Sequence, residues 1–205
     1  MKNKRNFLLA ILLIILIVIT IVLIYFSKEI IYKNYYNDKI NDILSDNIEI
    51  EKKWLIDKNK IPFEVSNTEI IEIEQTYISF SPEIRVRKIN NGEEYSFTVK
   101  TNMTADGLVR NEMEENITEE EYNSLIKKKE GNTIYKTRYQ FLYEDNIYAI
   151  DIFEGELEGL AYLEIEFVNR EESDKFLTPD WVIKDVTNDI RYKNGHLARY
   201  GIPNE

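Results

Sequence analysis

Much of the chain alternates apolar and charged residues, beginning at Ile48-Glu49-Ile50-Glu51-Lys52-Lys53-Trp54-Leu55. Successive side chains of a strand point to opposite faces, so Glu49, Glu51 and Lys53 share one face and Ile48, Ile50 and Trp54 the other. Further strands are predicted over Ile70–Phe80, Ile84–Ile89, Tyr95–Thr101, Leu108–Glu114, Thr133–Tyr143, Ile147–Phe153 and Leu160–Val168. Asn90-Asn91-Gly92, Glu144-Asp145-Asn146 and Gly155–Gly159 supply turns. Thr118-Glu119-Glu120-Glu121 is a capping box that opens a helix to about Lys129, with Gly131-Asn132 as its stop. Short helices are predicted at Glu171–Leu177 and Asn194–Tyr200. Consecutive strands joined by hairpin turns indicate an antiparallel sheet or barrel.

The N-terminus follows a different pattern. Phe7–Phe26 is apolar throughout except for Thr20, and a helix of that length spans roughly 30 Å, the thickness of a bilayer core. A cleaved signal peptide would have a shorter apolar region and a small-residue cleavage site, whereas Tyr25-Phe26-Ser27-Lys28 offers a poor one. The predicted organisation is a basic flank (1–6), a single-pass transmembrane helix (7–26), a helical stalk or linker (27–47) and one domain (48–205). Lys2, Lys4 and Arg5 before the helix nearly balance Lys28, Lys33 and Lys39 after it, and the acid-free N-terminal flank tips the orientation toward N-in and C-out.

Composition removes several functions. There is no Cys, which excludes disulfides, thiolate metal sites and Cys nucleophiles. A net charge of −11 argues against broad nucleic-acid binding but allows a local basic pocket for a small polyanion. His196 is the sole histidine and sits in the tail, as expected of a surface or capping residue. Asn102-Met103-Thr104 and Asn116-Ile117-Thr118 fit the short glycosylation pattern.

The charged stripes carry the candidate chemistry. Arg85 and Arg87 share a face, as do Thr98 and Lys100; Arg110, Glu112 and Glu114; Lys136 and Arg138; and Glu164 and Glu166, while Asp151 lies opposite Ile150 and Ile152. Any single stripe fits an ordinary sheet with one face in water. Together they place seven basic and seven acidic groups on equivalent faces. Arg suits phosphate oxygens, and Glu-x-Glu pairs, about 7 Å apart on one face, suit hard cations such as Mg²⁺ or Mn²⁺. If the sheet closes, the stripes line its interior, and an unoccupied dry charged lumen would be costly.

These motifs resemble the CYTH family, also called triphosphate tunnel metalloenzymes. The opening E-x-E-x-K is matched at Glu49, Glu51 and Lys53, and Gln75 with Tyr77 matches Q-x-Y. R-x-R (Arg85, Arg87), T-x-K (Thr98, Lys100), R-x-E-x-E (Arg110, Glu112, Glu114) and K-x-R (Lys136, Arg138) follow in order. Asp151-Ile152-Phe153-Glu154-Gly155, Gly159-Leu160, Glu164-Ile165-Glu166 and a closing segment from Asp185 to Gly201 complete the likeness, which runs from Ile48 to the end. The resemblance implies a mostly-β α+β fold, an eight-stranded antiparallel closed β-barrel with peripheral helices. It implies that Arg85, Arg87, Lys100, Arg110, Lys136 and Arg138 bind a triphosphate. It further implies that Glu112, Glu114, Glu164 and Glu166, with Asp151 nearby, hold one Mg²⁺ or Mn²⁺. Glu49 and Glu51 would hold a second metal and the attacking water, and Lys53 would contact the phosphoryl group being cleaved. The expected activity is hydrolysis of inorganic triphosphate or a related short chain. Thiamine-triphosphate hydrolysis, cyclisation of ATP and non-catalytic sensing of polyphosphate or nucleotide stand as alternatives.

Overall fold

The computed structural model describes residues 2–44, 48–61, 68–104 and 109–204. The chain divides into two compact units, Met1–Asn41 and Asp42–Glu205. Helix α1 (Lys2–Leu44) runs unbroken for 43 residues, so the apolar segment and most of the expected stalk form one helix about 65 Å long. The stalk's last three residues, Ser45, Asp46 and Asn47, lie outside the described residues. Leu13–Asn41 has mean hydropathy 2.5 over its most apolar window, none of it buried, and is long and apolar enough to cross a membrane.

In the second unit the strands are β1 (Ile48–Ile56), β2 (Glu69–Phe80), β3 (Glu83–Ile89), β4 (Glu94–Asn102), β5 (Val109–Asn116), β6 (Glu130–Tyr143), β7 (Asn146–Glu154), β8 (Ala161–Glu166) and β9 (Val182–Asp185). Leu108, the expected start of the fifth, lies outside the described residues. The order β5-β4-β3-β2-β6-β7-β8-β1 closes through an antiparallel β1–β5 pairing, giving an eight-stranded barrel. Closure is narrow, because β1 divides one edge between two partners. Ile48–Ile50 pair with β5 and Trp54–Ile56 with β9, while the other edge pairs with β8. Between them, Val186 donates its N–H to the Lys53 carbonyl at 2.9 Å, and Lys53 donates its own to the Thr187 hydroxyl at 3.0 Å. No backbone group of Lys53 is left unpaired where the ring is weakest.

The side-chain periodicity separates two cores. Ile50, Trp54, Tyr148, Ile150, Leu163 and Ile165 form an outer core, covered by Phe176, Trp181 and Val182. Helix α3 (Arg170–Lys175) leads into that cover. Ile48 departs from this face, being largely exposed at the rim. A second core lies on the lumen parity: Tyr77, Ile134, Phe153 and Tyr162 continue inward from the charged stripes and meet Val186, Tyr192, Leu197 and Ala198. The C-terminal segment, with helix α4 (Asn194–Tyr200), therefore seals one end of the lumen with apolar side chains.

The capping box is present: Glu121 N–H donates to the Thr118 hydroxyl at 3.3 Å, and Thr118 N–H to the Glu121 carboxylate at 2.8 Å. Helix α2 (Glu119–Leu125) buries Tyr122, 5.0 Å from the Tyr95 ring. Its last turn tightens to a 3-10 helix at Ile126–Lys128. Gly131-Asn132 does not stop this helix, as the sequence pattern suggested, but belongs to β6. Gly131 serves a close approach instead. At φ +71° a Cβ there would sit 2.6 Å from the Ala198 carbonyl oxygen and 3.0 Å from Phe80. Strand β9 and a 3-10 turn at Ile190–Tyr192 were not anticipated, being too short to show a period.

Gly131→Ala should therefore lower stability by about 1–3 kcal/mol. The loss should exceed that of Gly159→Ala, whose φ is also positive but which has open space around it. Thermal melts of the full chain in detergent check this, and equal losses would contradict the contact between α4 and β6.

Candidate active site

The lumen is a cavity of about 580 Å³, within the range of small-molecule sites. Its wall is built strand by strand: Glu49, Glu51 and Lys53 from β1, Arg85 and Arg87 from β3, Lys100 from β4, Arg110, Glu112 and Glu114 from β5, Arg138 from β6, and Glu164 and Glu166 from β8. Lys136 and Asp151 do not reach the cavity surface. They pair with each other behind it, both fully buried.

The charges form two networks. In the first, Lys53 Nζ contacts Glu164 at 2.6 Å and Glu51 at 3.8 Å. Arg138 forks onto Asp151 at 2.7 and 2.9 Å and reaches Glu164 at 2.6 Å. In the second, Lys100 joins Glu49 at 2.5 Å and Glu112 at 2.7 Å, and Arg110 joins Glu49 at 2.9 Å. Arg85 stands 3.4 Å from Glu112. Arg87 is held by the Gln75 side-chain oxygen at 3.0 Å and stands 3.7 Å from Glu114. Strand register makes these partners: Lys53 lies opposite Glu164, Lys100 opposite Glu112, Arg110 opposite Glu49 and Arg138 opposite Asp151.

Burial acts against every ionised group here, and pairing overcomes it for most. The Glu164 carboxyl stays well below its usual range because Lys53, Lys136 and Arg138 surround it. Lys100 and Arg110 do the same for Glu49, and Lys100 and Arg85 for Glu112. Three cations run the other way: burial lowers Lys136 to about 8 despite Asp151, and lowers Arg87 and Lys193 as well. Glu166 is the exception among the carboxyls. Burial and the nearby Glu49, Glu112 and Glu51 push it up to about 8. It lies directly across the strand pair from Glu51, two like charges face to face.

Among the described residues no three carboxylates form a ready-made metal cage, because most are turned to cations. The donor set nonetheless fits a hard divalent ion. It is rich in carboxylate oxygens; among the described residues Glu166 has no ion-pair partner within 4.0 Å, and the opposed Glu51 has only the 3.8 Å contact with Lys53.

Curated relatives share this chain's sequence. An inorganic triphosphatase of Nitrosomonas europaea is 33% identical over 154 residues, covering 73% of this chain and 96% of the relative. An inorganic triphosphatase of Acetivibrio thermocellus is 35% identical over 153 residues, covering 74% and 93%. A crystal structure of an inorganic triphosphatase superposes with TM-score 0.52 at 30% identity, covering 73% of this chain and 93% of that one. No protein-family model matches the chain. The chain belongs to the CYTH family.

The CYTH barrel brings the predicted residues onto one lumen, apart from the recessed Lys136 and Asp151. It adds residues that the stripes did not single out. Glu83, two positions before Arg85, lies 3.8 Å from Arg85 and 3.4 Å from Arg110. Extending the Arg85–Arg87 parity backward would have found it. Lys193 enters from the turn before α4 and lines the cavity; no local pattern marks it. Tyr162 lies beneath Lys53, whose Nζ is 5.0 Å from its ring centre. His196 is absent from the lumen, and its ring packs on Tyr200 at 4.5 Å.

An acid with a raised folded pKa stabilises the fold at low pH and loses that contribution as pH rises through the folded value. In chelator, the melting temperature should therefore fall from about pH 5 to 8 through Glu166. The carboxyls held low lose stability only below this window, and Lys136 acts above it with the opposite sign. Glu166→Gln should flatten the slope, and a flat or rising wild-type curve would show that Glu166 has a cation partner.

Proposed function

We propose that this protein is a divalent-metal-dependent hydrolase of inorganic triphosphate or a related short triphosphate, carried at a membrane by α1. The observation that carries this reading is the lumen itself. Cations from five strands and carboxylates from four face one cavity of a size for a short phosphate chain. The relatives' names support the same substrate. No aromatic ring occurs among the described lining residues, so nothing there stacks a base or thiazole, which favours an inorganic chain over ATP or thiamine triphosphate.

Arg85, Arg87, Lys100, Arg110 and Arg138 bind phosphate oxygens. Lys136 and Asp151 act from behind, since Asp151 fixes the Arg138 fork. Glu164, Glu166, Glu112 and Glu114 provide one metal position, and Glu49 and Glu51 the second. Mg²⁺ or Mn²⁺ there would supply charge neutralisation and lower the pKa of a bound water. Glu51, whose ion-pair contact at 3.8 Å is loose, turns toward the attacking water and takes its proton. The water oxygen bonds to the terminal phosphorus, the bridging P–O bond breaks, and pyrophosphate leaves with the bonding pair. Lys53, pinned at both backbone groups, contacts the transferring phosphoryl group as its charge develops.

Phosphate release by the full chain in detergent tests this. Tripolyphosphate should be cleaved only with Mg²⁺ or Mn²⁺. Glu51→Gln should lower kcat by about 10²–10³-fold, comparable to removing one preorganised transition-state contact. Metal-independent cleavage, or undiminished activity in Glu51→Gln, would overturn the assignment.

A further inference from the structure

Lys53 has two ion-pair partners among the described residues, Glu164 at 2.6 Å and Glu51 at 3.8 Å. Both are carboxylates placed in the metal positions, so a metal that takes them leaves Lys53 without either. The Lys53 side chain is only 3% exposed, and bulk water does not replace them. A buried ammonium needs some other group to hold it.

That group is on the page. Of the cations on the lumen wall, Lys53 alone lies over an aromatic ring among the described residues, its Nζ 5.0 Å from the centre of Tyr162. Lys100, whose carboxylate partners Glu49 and Glu112 are also assigned to metal, has no such ring. Tyr162 stands two residues before Glu164 on β8, so the two share a face and the ring lies next to the carboxylate that Lys53 contacts. The ring is fully buried and cannot swing aside. Phe153 meets it edge-on at 5.1 Å and 76°, and Tyr192 at 6.5 Å and 75°. The Tyr162 hydroxyl is buried with no hydrogen-bond partner among the described residues. An orphaned hydroxyl opposes folding, so the useful part of the side chain is its face. A ring face attracts a cation through its quadrupole, and unlike a carboxylate it does not compete for a hard metal.

We propose that Tyr162 is a positioning residue, whose ring face keeps the Lys53 ammonium aimed at the phosphoryl group being transferred once metal has taken Glu164 and Glu51. This rests on the role given to Lys53 in the proposed function.

The test follows tripolyphosphate cleavage by the full chain in detergent with Mg²⁺. Tyr162→Phe keeps the face and loses only the orphaned hydroxyl, so kcat and KM should stay within about twofold of wild type. Tyr162→Leu should lower kcat by about five- to twentyfold with KM within about twofold, because the other wall cations still grip the chain. Phenylalanines of increasing ring fluorination at position 162 keep the shape while draining charge from the face. Log kcat should fall steadily along that series, which reads the interaction even if Tyr162→Leu fails to fold. Placed on Lys53→Met, Tyr162→Leu should cost no more than about a further twofold. A flat fluorination series, a loss in Tyr162→Phe equal to that in Tyr162→Leu, or an undiminished loss on Lys53→Met overturns the role of Tyr162 and leaves the hydrolase reading intact. Wild-type activity in Lys53→Met removes the role of Lys53, and that of Tyr162 with it. A wild type that does not cleave tripolyphosphate overturns the proposed function itself.

Discussion

A buried charge must be paired, and the barrel is organised around that constraint. A lone ion in a protein interior costs several kcal/mol, and removing one partner of a buried pair typically costs about 3–5 kcal/mol. Antiparallel register meets the requirement by setting Lys53 against Glu164, Lys100 against Glu112 and Arg110 against Glu49. The groups suited to phosphate and the groups suited to metal thus neutralise one another across neighbouring strands. On the proposed function, a metal–triphosphate would bring both signs of charge at once, and each cation would pass to a phosphate as its carboxylate passed to a metal. Exchange of partners, rather than fresh burial of charge, would then make such a lumen usable.

The rest of the fold holds this arrangement in shape. Strand β1 divides one edge between β5 and β9, and the gap is bridged by Val186 and Thr187 at Lys53. The residue assigned to the transferring phosphoryl group is thereby fixed by the C-terminal segment. The same segment plugs one end of the lumen with Tyr192, Leu197 and Ala198. Dry apolar packing behind Lys53 strengthens the electrostatics in front of it.

Much of this was legible in the sequence, because a period of two is simple to read and the charged stripes keep it. The parity that grouped Glu49 with Lys53 and Arg85 with Arg87 places those groups on the lumen wall. Parity alone did not reveal depth. Lys136 and Asp151 keep the stripe but sit behind the wall, and Tyr77, Phe153 and Tyr162 keep it but form the plug. Nor could local pattern place Lys193 or β9, whose positions depend on how the tail returns to β1. Gly131 looked like a helix stop because its need for a positive φ is local, whereas the cause, the Ala198 carbonyl, is 67 residues away.

The exchange of partners can be observed directly in a crystal structure of the full chain with tripolyphosphate and Mn²⁺, using anomalous scattering to locate the metal. The predicted result is tripolyphosphate in the lumen, Lys53 Nζ moved from its 2.6 Å contact with Glu164 to a phosphate oxygen, and manganese on the carboxylates that Lys53 and Arg138 have released. Tripolyphosphate bound outside the lumen, or bound inside with the Lys53–Glu164 and Lys100–Glu49 pairs intact, would contradict the account.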